Sequence, residues 1–246
     1  MQNAEDTDLT KYGQMNEGRT STMLGLKGIP KVAEESVILN NIELLKYSGG
    51  RIHFSKISTA RSVEIIRNAK KKGLNVTCDI AAHQLAFDDS VLASFDTNFK
   101  VNPPFRNKED IDALVKGLAD DTIDVIVSDH TPHDPESKQL EFDMASFGII
   151  NLETAFAVAN TFAGKKVELS KLVEKLTSGP RALLNCAAVR IEEGAAANLT
   201  LFDPEKEWIY TEADIKSKSK NSPFIGKKLK GKAVAVFNKG QVKILA

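Results

Sequence analysis

The sequence is poor in cysteine and has no net charge. Cys78 and Cys186 are its only two cysteines, and neither lies in a Cys-x-x-Cys pair. This argues against a disulfide framework or a cysteine zinc site and is typical of the reducing cytoplasm. Lys plus Arg and Asp plus Glu number 33 each, so the net charge is zero. Without a long-range positive field the chain is a poor candidate for binding nucleic acid.

Long apolar runs are also missing. No segment approaches the roughly 20 apolar residues of a membrane-spanning helix. Residues 1–10 are polar and acidic and lack the apolar segment of a signal peptide. We therefore predict a cytoplasmic protein with no membrane contact. The hydrophobic content of 42% and the charged content of 27% are ordinary for a globular enzyme, and they argue against disorder and fibres.

Apolar spacing predicts helices alternating with strands. Residues 1–30 have weak periodicity and are predicted to be loop. Helices are predicted at residues 33–47, 58–72, 107–118, 149–162 and 170–177, and strands at 51–57, 74–80 and 123–127. This alternation indicates a parallel sheet covered by helices, in an α/β barrel or an open sheet.

The pattern changes near residue 189. Short strands are predicted at residues 197–202, 207–210 and 232–238, between Gly, Pro and Lys-rich turns. We therefore predict an α/β body over residues 1–188 and a β-rich segment over 189–246. The lysine-rich run at 216–220 could be a phosphate patch, but the balanced charge and the lack of interleaved aromatics favour a solvated loop.

The sharpest chemical signal follows the predicted strand 123–127. Asp129, His130 and His133 lie within one turn of its carboxyl end. A carboxylate with two imidazoles can bind a metal or move a proton. The alternative is that Asp129 caps a turn and both histidines lie on the surface.

Two weaker signals flank it. Asn102 precedes two prolines, and its amide can donate to and accept from an amide-like ligand, although the segment could also be only a rigid loop. Phe147 and Gly148 precede a predicted helix, where free N–H groups could receive a carboxylate.

Taken together, these segments resemble a known family. They are KVNPPFR (100–106), DTIDVIVSDHTPH (121–133), FGIINLETAF (147–156), LTSGPRALLN (176–185), ANLTLFDPEKEW (197–208) and SKSKNSPFIGKKLKGKAVAVFNKG (217–240). They are similar to the C-terminal part of long-chain dihydroorotases, in the cyclic-amide branch of the amidohydrolase superfamily, and the likeness extends upstream through residues 27–85. Allantoinases and hydantoinases are close relatives, but the Asn-Pro-Pro and Asp-His-x-Pro-His combination favours dihydroorotase.

The resemblance implies a fold and a reaction. The fold is a metal-dependent-hydrolase (β/α)₈ barrel of the TIM type, to which this chain would contribute the later βα units, plus a small β-sandwich. The reaction interconverts N-carbamoyl-L-aspartate and L-dihydroorotate in pyrimidine synthesis. A binuclear zinc site at the carboxyl ends of the strands would supply a hydroxide that attacks the ring amide.

The resemblance also implies residue roles. Asp129 matches the aspartate that binds metal and moves the proton. Asn102 and His133 match substrate-binding side chains, and Phe147 and Gly148 match a backbone contact to the substrate.

The metal positions depart from this pattern. Asn3 and Lys56 stand where histidine ligands are expected, and the His-x-His motif of the first barrel strand has no counterpart. A charged ammonium has no lone pair for zinc. His53 is a poor substitute because strand alternation points it away from the side of Lys56. We therefore predict that this chain binds no catalytic zinc and that Lys56 pairs with Asp129; the alternative is that Lys56 points to solvent.

Two explanations of the departures stay open and are compatible. The chain could be part of a longer dihydroorotase-like protein. It could also belong to the metal-free dihydroorotase-like proteins that are structural partners of aspartate transcarbamoylase. The expected ligand is a cyclic ureide or ureido acid. An unpaired sheet edge would also favour a homo-oligomer.

Overall fold

The computed structural model describes residues 1–245, with strands at both ends of the chain. The strands are β1 (Gln2–Asn3), β2 (Met15–Asn16), β3 (Gly28–Ile29), β4 (Ile52–Ser55), β5 (Val76–Ala81), β6 (Val125–Val127), β7 (Leu199–Ile209), β8 (Lys228–Asn238) and β9 (Gln241–Ile244). The α-helices are α1 (Thr7–Thr10), α2 (Arg19–Leu24), α3 (Val32–Ser48), α4 (Ala60–Lys71), α5 (Lys108–Ala119), α6 (Pro135–Lys138), α7 (Ala155–Ala163), α8 (Leu169–Leu176) and α9 (Ser178–Leu183).

A parallel sheet positions the site. Its strand order is β1-β4-β5-β6, and every neighbouring pair is parallel. Beyond β6, His130 forms a further parallel bridge with Ile149. The carboxyl ends of these strands therefore meet at one edge, where Asn3 lies beside Ser55 in the register.

The helices that cover the sheet begin where the sequence predicts. Thr59 caps α4 by accepting from the Ser62 N–H, and Asn107 caps α5 in a capping box with Asp110. Apolar side chains of α4 and α5 join those of the central strands in one buried core; they include Phe54, Val63, Ile66, Cys78, Ile80, Leu114 and Leu118. Burial of apolar surface in this core holds the layers together.

Two local predictions in the α/β body are wrong. Residues 1–30 are not all loop, because Gln2–Asn3 forms the edge strand β1, and β2 pairs with β3. Strands of two residues are too short to show alternation. The helix predicted over 149–162 begins only at Ala155, because the buried Ile149 extends the sheet beside His130.

The C-terminal strands form an antiparallel sheet in the order β7-β8-β9. The two strands predicted over 197–210 are one strand, β7, with register shifts along it. Asn160 of α7 joins this sheet to the helices, since its Nδ2 donates to the carbonyls of Pro204 (2.8 Å) and Lys230 (3.0 Å). Residues 184–198 contain no helix or strand, and a domain boundary within them stays a prediction.

None of the helices within residues 1–245 is both long enough and apolar enough to cross a bilayer.

Candidate functional site

An ion pair lies at the carboxyl edge of the parallel sheet. Lys56 follows β4 and Asp129 follows β6, and the Lys56 Nζ lies 3.0 Å from the Asp129 Oδ1. The same Nζ is 3.4 Å from the carbonyl oxygen of Asn102. The two side chains are 26% and 17% exposed, so solvent screens the pair only in part. The pairing predicted from sequence is confirmed, and Lys56 does not point to solvent.

The backbone around this pair is held in an uncommon conformation. Lys56 has φ 58° and Asp129 has φ 48°, both in the left-handed region that costs non-glycine residues energy. The buried Asp79 on β5 offsets this energetic cost at Lys56, because its Oδ1 accepts a hydrogen bond from the Lys56 N–H at 2.7 Å. Its Oδ2 accepts from the Ser55 hydroxyl at 3.0 Å. Asp79, which the sequence analysis did not identify, thus fixes the turn that directs Lys56 toward Asp129.

His53 is occupied elsewhere, as its strand position predicts. Its Nε2 lies 2.8 Å from the Asp79 Oδ2, and its Nδ1 lies 2.8 Å from the Thr77 Oγ1. Both ring nitrogens therefore have partners within the sheet, and neither is free to bind a metal.

The side chains present do not fit the zinc site that the resemblance implies. Within residues 1–245, no three His, Cys, Asp or Glu side chains converge as metal ligands would. Asn3 lies exposed on the edge strand, and the Lys56 ammonium takes up one oxygen of Asp129. A single carboxylate beside a cation is a poor ligand set for zinc, which needs at least three protein ligands in a catalytic site.

Asn102 is positioned by a carboxylate near the N-terminus. Its Nδ2 donates to both oxygens of Glu5, at 3.2 and 3.3 Å, and the Thr10 hydroxyl donates to Glu5 at 2.9 Å. A cavity of about 20 Å³, the size of one water, separates these side chains from Glu34 and Arg106. Glu5 has no recognisable motif in the sequence, because only the fold brings it to Asn102.

His133 and the Phe147–Gly148 turn also meet. The His133 Nε2 is 2.9 Å from the Phe147 carbonyl oxygen, so the imidazole donates there and its Nδ1 has no protein partner within residues 1–245. The Gly148 N–H donates to the Lys100 carbonyl at 2.8 Å, whereas that of Phe147 has no acceptor in the described chain. Gly148 has φ 126°, and a Cβ there would lie 2.6 Å from Thr131. The substrate contacts predicted for this turn stay predictions.

His130 has a different role from His133. Its Nδ1 accepts from the backbone N–H groups of Asn151 and Leu152, each at 3.2 Å. An imidazole nitrogen that accepts two N–H groups has no lone pair left for a metal. His130 therefore stabilises the turn before α7.

Two buried lysines hold the loop at residues 139–148. The Lys100 Nζ donates to the carbonyls of Phe142 (2.6 Å) and Asp143 (3.0 Å). The Lys138 Nζ donates to those of Ser146 (2.8 Å) and Gly148 (3.1 Å). Burial lowers the pKa of each lysine to about 8. The sequence gives no signal for either role, since lysine is ordinarily a surface residue.

His83 lies buried in the same region without a hydrogen bond. Both ring nitrogens are unpartnered, and the ring meets that of Phe105 edge-on, with 5.6 Å between centroids. Burial lowers the pKa of His83 to about 4; the charge of Lys56 adds to this and that of Asp129 opposes it. His83 is therefore neutral at pH 7.

Replacing Lys56 with methionine is expected to lower the free energy of unfolding by about 1–2 kcal/mol, because Asp129 loses its ionic partner in a partly screened site. Urea unfolding of Lys56→Met, Asp129→Asn and the double variant measures the coupling, which we expect to be about 1 kcal/mol. Lys228→Met, in the exposed pair with Glu207, is the matched control and should change stability by less than about 0.5 kcal/mol. Zero coupling would contradict the prediction.

Curated proteins of similar sequence are dihydroorotases. The chain is 44% identical over 241 residues to a dihydroorotase of Thermoanaerobacter sp. (strain X514), covering 97% of this chain and 56% of that protein. It is 45% identical over 241 residues to a dihydroorotase of Endomicrobium trichonymphae, covering 97% and 57%. The chain thus spans about half the length of the curated relatives it matches.

Solved structures share the fold. L-hydantoinase (dihydropyrimidinase) from Arthrobacter aurescens superposes with a TM-score of 0.81 at 26% identity, over 89% of this chain and 51% of that one. Dihydropyrimidinase from Brevibacillus agri NCHU1002 gives 0.82 at 20% identity, over 98% and 56%. These likenesses, with the parallel sheet and the C-terminal antiparallel sheet, confirm the predicted fold class, the later βα units of a TIM-type barrel.

The family model described as the amidohydrolase family matches residues 18–243, nearly the whole chain. The match includes β4 to β6 and the turns that carry Lys56 and Asp129. The chain belongs to the amidohydrolase family.

Proposed function

We propose that the protein is a dihydroorotase-like member of its family that binds a cyclic ureide or ureido acid but holds no catalytic zinc. The single observation that carries this proposal is the 3.0 Å contact between the Lys56 Nζ and the Asp129 Oδ1. The dihydroorotases that are 44–45% identical support the ligand class.

The chemistry of the ion pair favours binding over hydrolysis. A lysine ammonium has three N–H donors, and in Lys56 two of them are directed at Asp129 and at the carbonyl of Asn102. The third is available to a carbonyl or carboxylate oxygen of a ligand. An ammonium supplies one positive charge, but it does not coordinate water and lower its pKa as a metal does.

The surrounding groups suit a ureido acid. The Phe147 N–H and the Nδ1 of His133 have no partner in residues 1–245. Asn102 contacts Lys56 through its backbone carbonyl, whereas its side-chain amide is held by Glu5. The Phe147 N–H offers a donor to a carboxylate, and the His133 Nδ1 offers an acceptor to a ring N–H.

Metal content and turnover test the proposal together. After dialysis we expect much less than one equivalent of zinc and no hydrolysis of dihydroorotate in added zinc, because the ligand set is incomplete. A related dihydroorotase treated in parallel is the positive control. Stoichiometric zinc with turnover on the order of 1 s⁻¹ would show that other residues form the metal site.

Calorimetry tests the ligand class directly. Dihydroorotate and N-carbamoyl-L-aspartate are expected to bind in the millimolar range or tighter, and allantoin and hydantoin distinguish the related ring classes. Lys56→Met should weaken binding, since it removes the free donor. The absence of heat from all four compounds at millimolar concentration would remove the binding part of the proposal.

A second candidate function is that of a structural partner of aspartate transcarbamoylase. The observation that favours it is the replacement of ligand positions at Asn3 and Lys56 while the sheet that carries them is intact. The test is sedimentation of the purified chain with and without the transcarbamoylase of the same organism. A joint species without turnover supports this function, and independent sedimentation contradicts it.

A further inference from the structure

A second, larger cavity lies beside the candidate site. Its volume is about 380 Å³, it is open to solvent on one side, and it is lined by residues 97–98, 133–135, 138–139 and 218–221. This size falls in the range of small-molecule sites, about 300–1,000 Å³. It shares His133 with the candidate site but includes neither Lys56 nor Asp129.

The lining carries an excess of positive charge. Lys138, Lys218 and Lys220 all line the cavity, and none of them forms an ion pair within residues 1–245. Asp134 is the single carboxylate of the lining, and one of its oxygens accepts the Ser137 N–H at the start of α6, at 2.7 Å. The buried Lys138 and the exposed Lys218 and Lys220 therefore line the cavity with one carboxylate that is already engaged, and the Lys220 ammonium also donates to the Glu212 carbonyl at 3.1 Å.

The burial of Lys138 makes this excess of positive charge energetically unfavourable. Lys138 is 5% exposed, and its ammonium is satisfied by carbonyl oxygens but forms no ion pair within residues 1–245; the charge of Asp96 favours it only in part. Lys100, which is 1% exposed, lies behind it with carbonyl partners of the same kind, and its charge further disfavours that of Lys138. Buried charge without a counter-charge is unfavourable, and an anion in the adjoining cavity would relieve it.

We propose that this cavity binds a small oxyanion, a carboxylate or phosphate group. Lys218 and Lys220 would contact the anion, and the buried Lys138 would contribute a positive charge without direct contact. The Asn98 amide and the Ser219 hydroxyl would add neutral donors. The lysine-rich run at 216–220, interpreted from sequence as a solvated loop, thus forms one wall of a binding cavity.

Calorimetric titration of the whole chain tests this at pH 7 and low ionic strength. Sodium phosphate and succinate are the probes, and sodium chloride controls for ionic strength. We expect phosphate, succinate or both to bind, and Lys218→Gln with Lys220→Gln to weaken that binding at least 10-fold. Lys71→Gln with Lys72→Gln, exposed lysines at the end of α4, removes the same charge elsewhere and should leave the affinity within about 2-fold.

The outcomes separate the two sources of the oxyanion. Binding of phosphate alone assigns a phosphate-bearing ligand, and binding of succinate alone assigns a dicarboxylate. At pH 8, titrations repeated in buffers of different ionisation enthalpy should show that the protein takes up protons when the anion binds, because the anion stabilises the charged form of Lys138. Absence of binding by both anions, or equal affinity in the two double variants, would overturn the inference. If the protein binds phosphate but no ureide, the inference about this cavity is supported and only the binding part of the proposed function is contradicted.

Discussion

Replacing Arg106 with methionine is expected to lower the free energy of unfolding by about 3–5 kcal/mol, the largest effect of any single change proposed for this protein. Arg106 is 2% exposed, and its guanidinium donates to Asn16, to the Ile29 carbonyl and to Ser58, at 2.8–3.0 Å. Methionine has a similar length and fills the space. The loss therefore comes from acceptors that are left without a donor.

The charge on Glu34 adds to that loss. Glu34 is buried, lies 3.9 Å from the Arg106 guanidinium, and accepts from the backbone N–H groups of Ser58 (2.9 Å) and Thr59 (3.1 Å). Without Arg106 it would be a buried carboxylate with no cation beside it. Urea unfolding measures the change, and Arg51→Met, at an exposed position, is the control, expected within about 0.5 kcal/mol. A loss of less than 1 kcal/mol for Arg106→Met would contradict this account.

Acidification from pH 7 to pH 4 is expected to lower the free energy of unfolding by about 3 kcal/mol through His83 alone. Its pKa is lowered from 6.5 to about 4 in the native state, mainly because the ring is buried. Between these values the unfolded chain takes up a proton that the native chain does not. The contribution is therefore complete above pH 6.5, is lost as the pH falls to 4, and changes little below that.

His83→Leu isolates this contribution from that of the carboxylates. The variant should be at least as stable as the natural chain at pH 7, because it removes two buried ring nitrogens without partners. Its stability should also fall less on acidification, so the difference between the two proteins should grow by about 3 kcal/mol by pH 4. Unfolding curves at four pH values measure this. Parallel profiles would mean that His83 finds a partner, such as an ordered water.

The amino-acid sequence by itself predicts most of the α/β body. Apolar spacing and capping residues place α3, α4, α5 and α8 within a few residues of their observed bounds, since these signals are local. The strand-end position of Asp129 and the substitution at Lys56 can also be read directly. The family follows from several motifs together, and a lysine at a ligand position already argues against zinc.

Tertiary structure alone decided the surroundings of these residues. Asp79 fixes the turn of Lys56, and Glu5 binds the side chain of Asn102. Lys100 and Lys138 donate to backbone carbonyls of the loop at residues 139–148. None of these contacts follows from the local periodicity of the sequence, and those of Asp79, Glu5 and Lys100 join segments far apart in the chain. The two-residue strand β1 and the cavity at residues 218–221 likewise arise from contacts between segments that are distant in the sequence. Local patterns determine helices and strands, whereas the partners of a buried charge are determined by which elements pack around it.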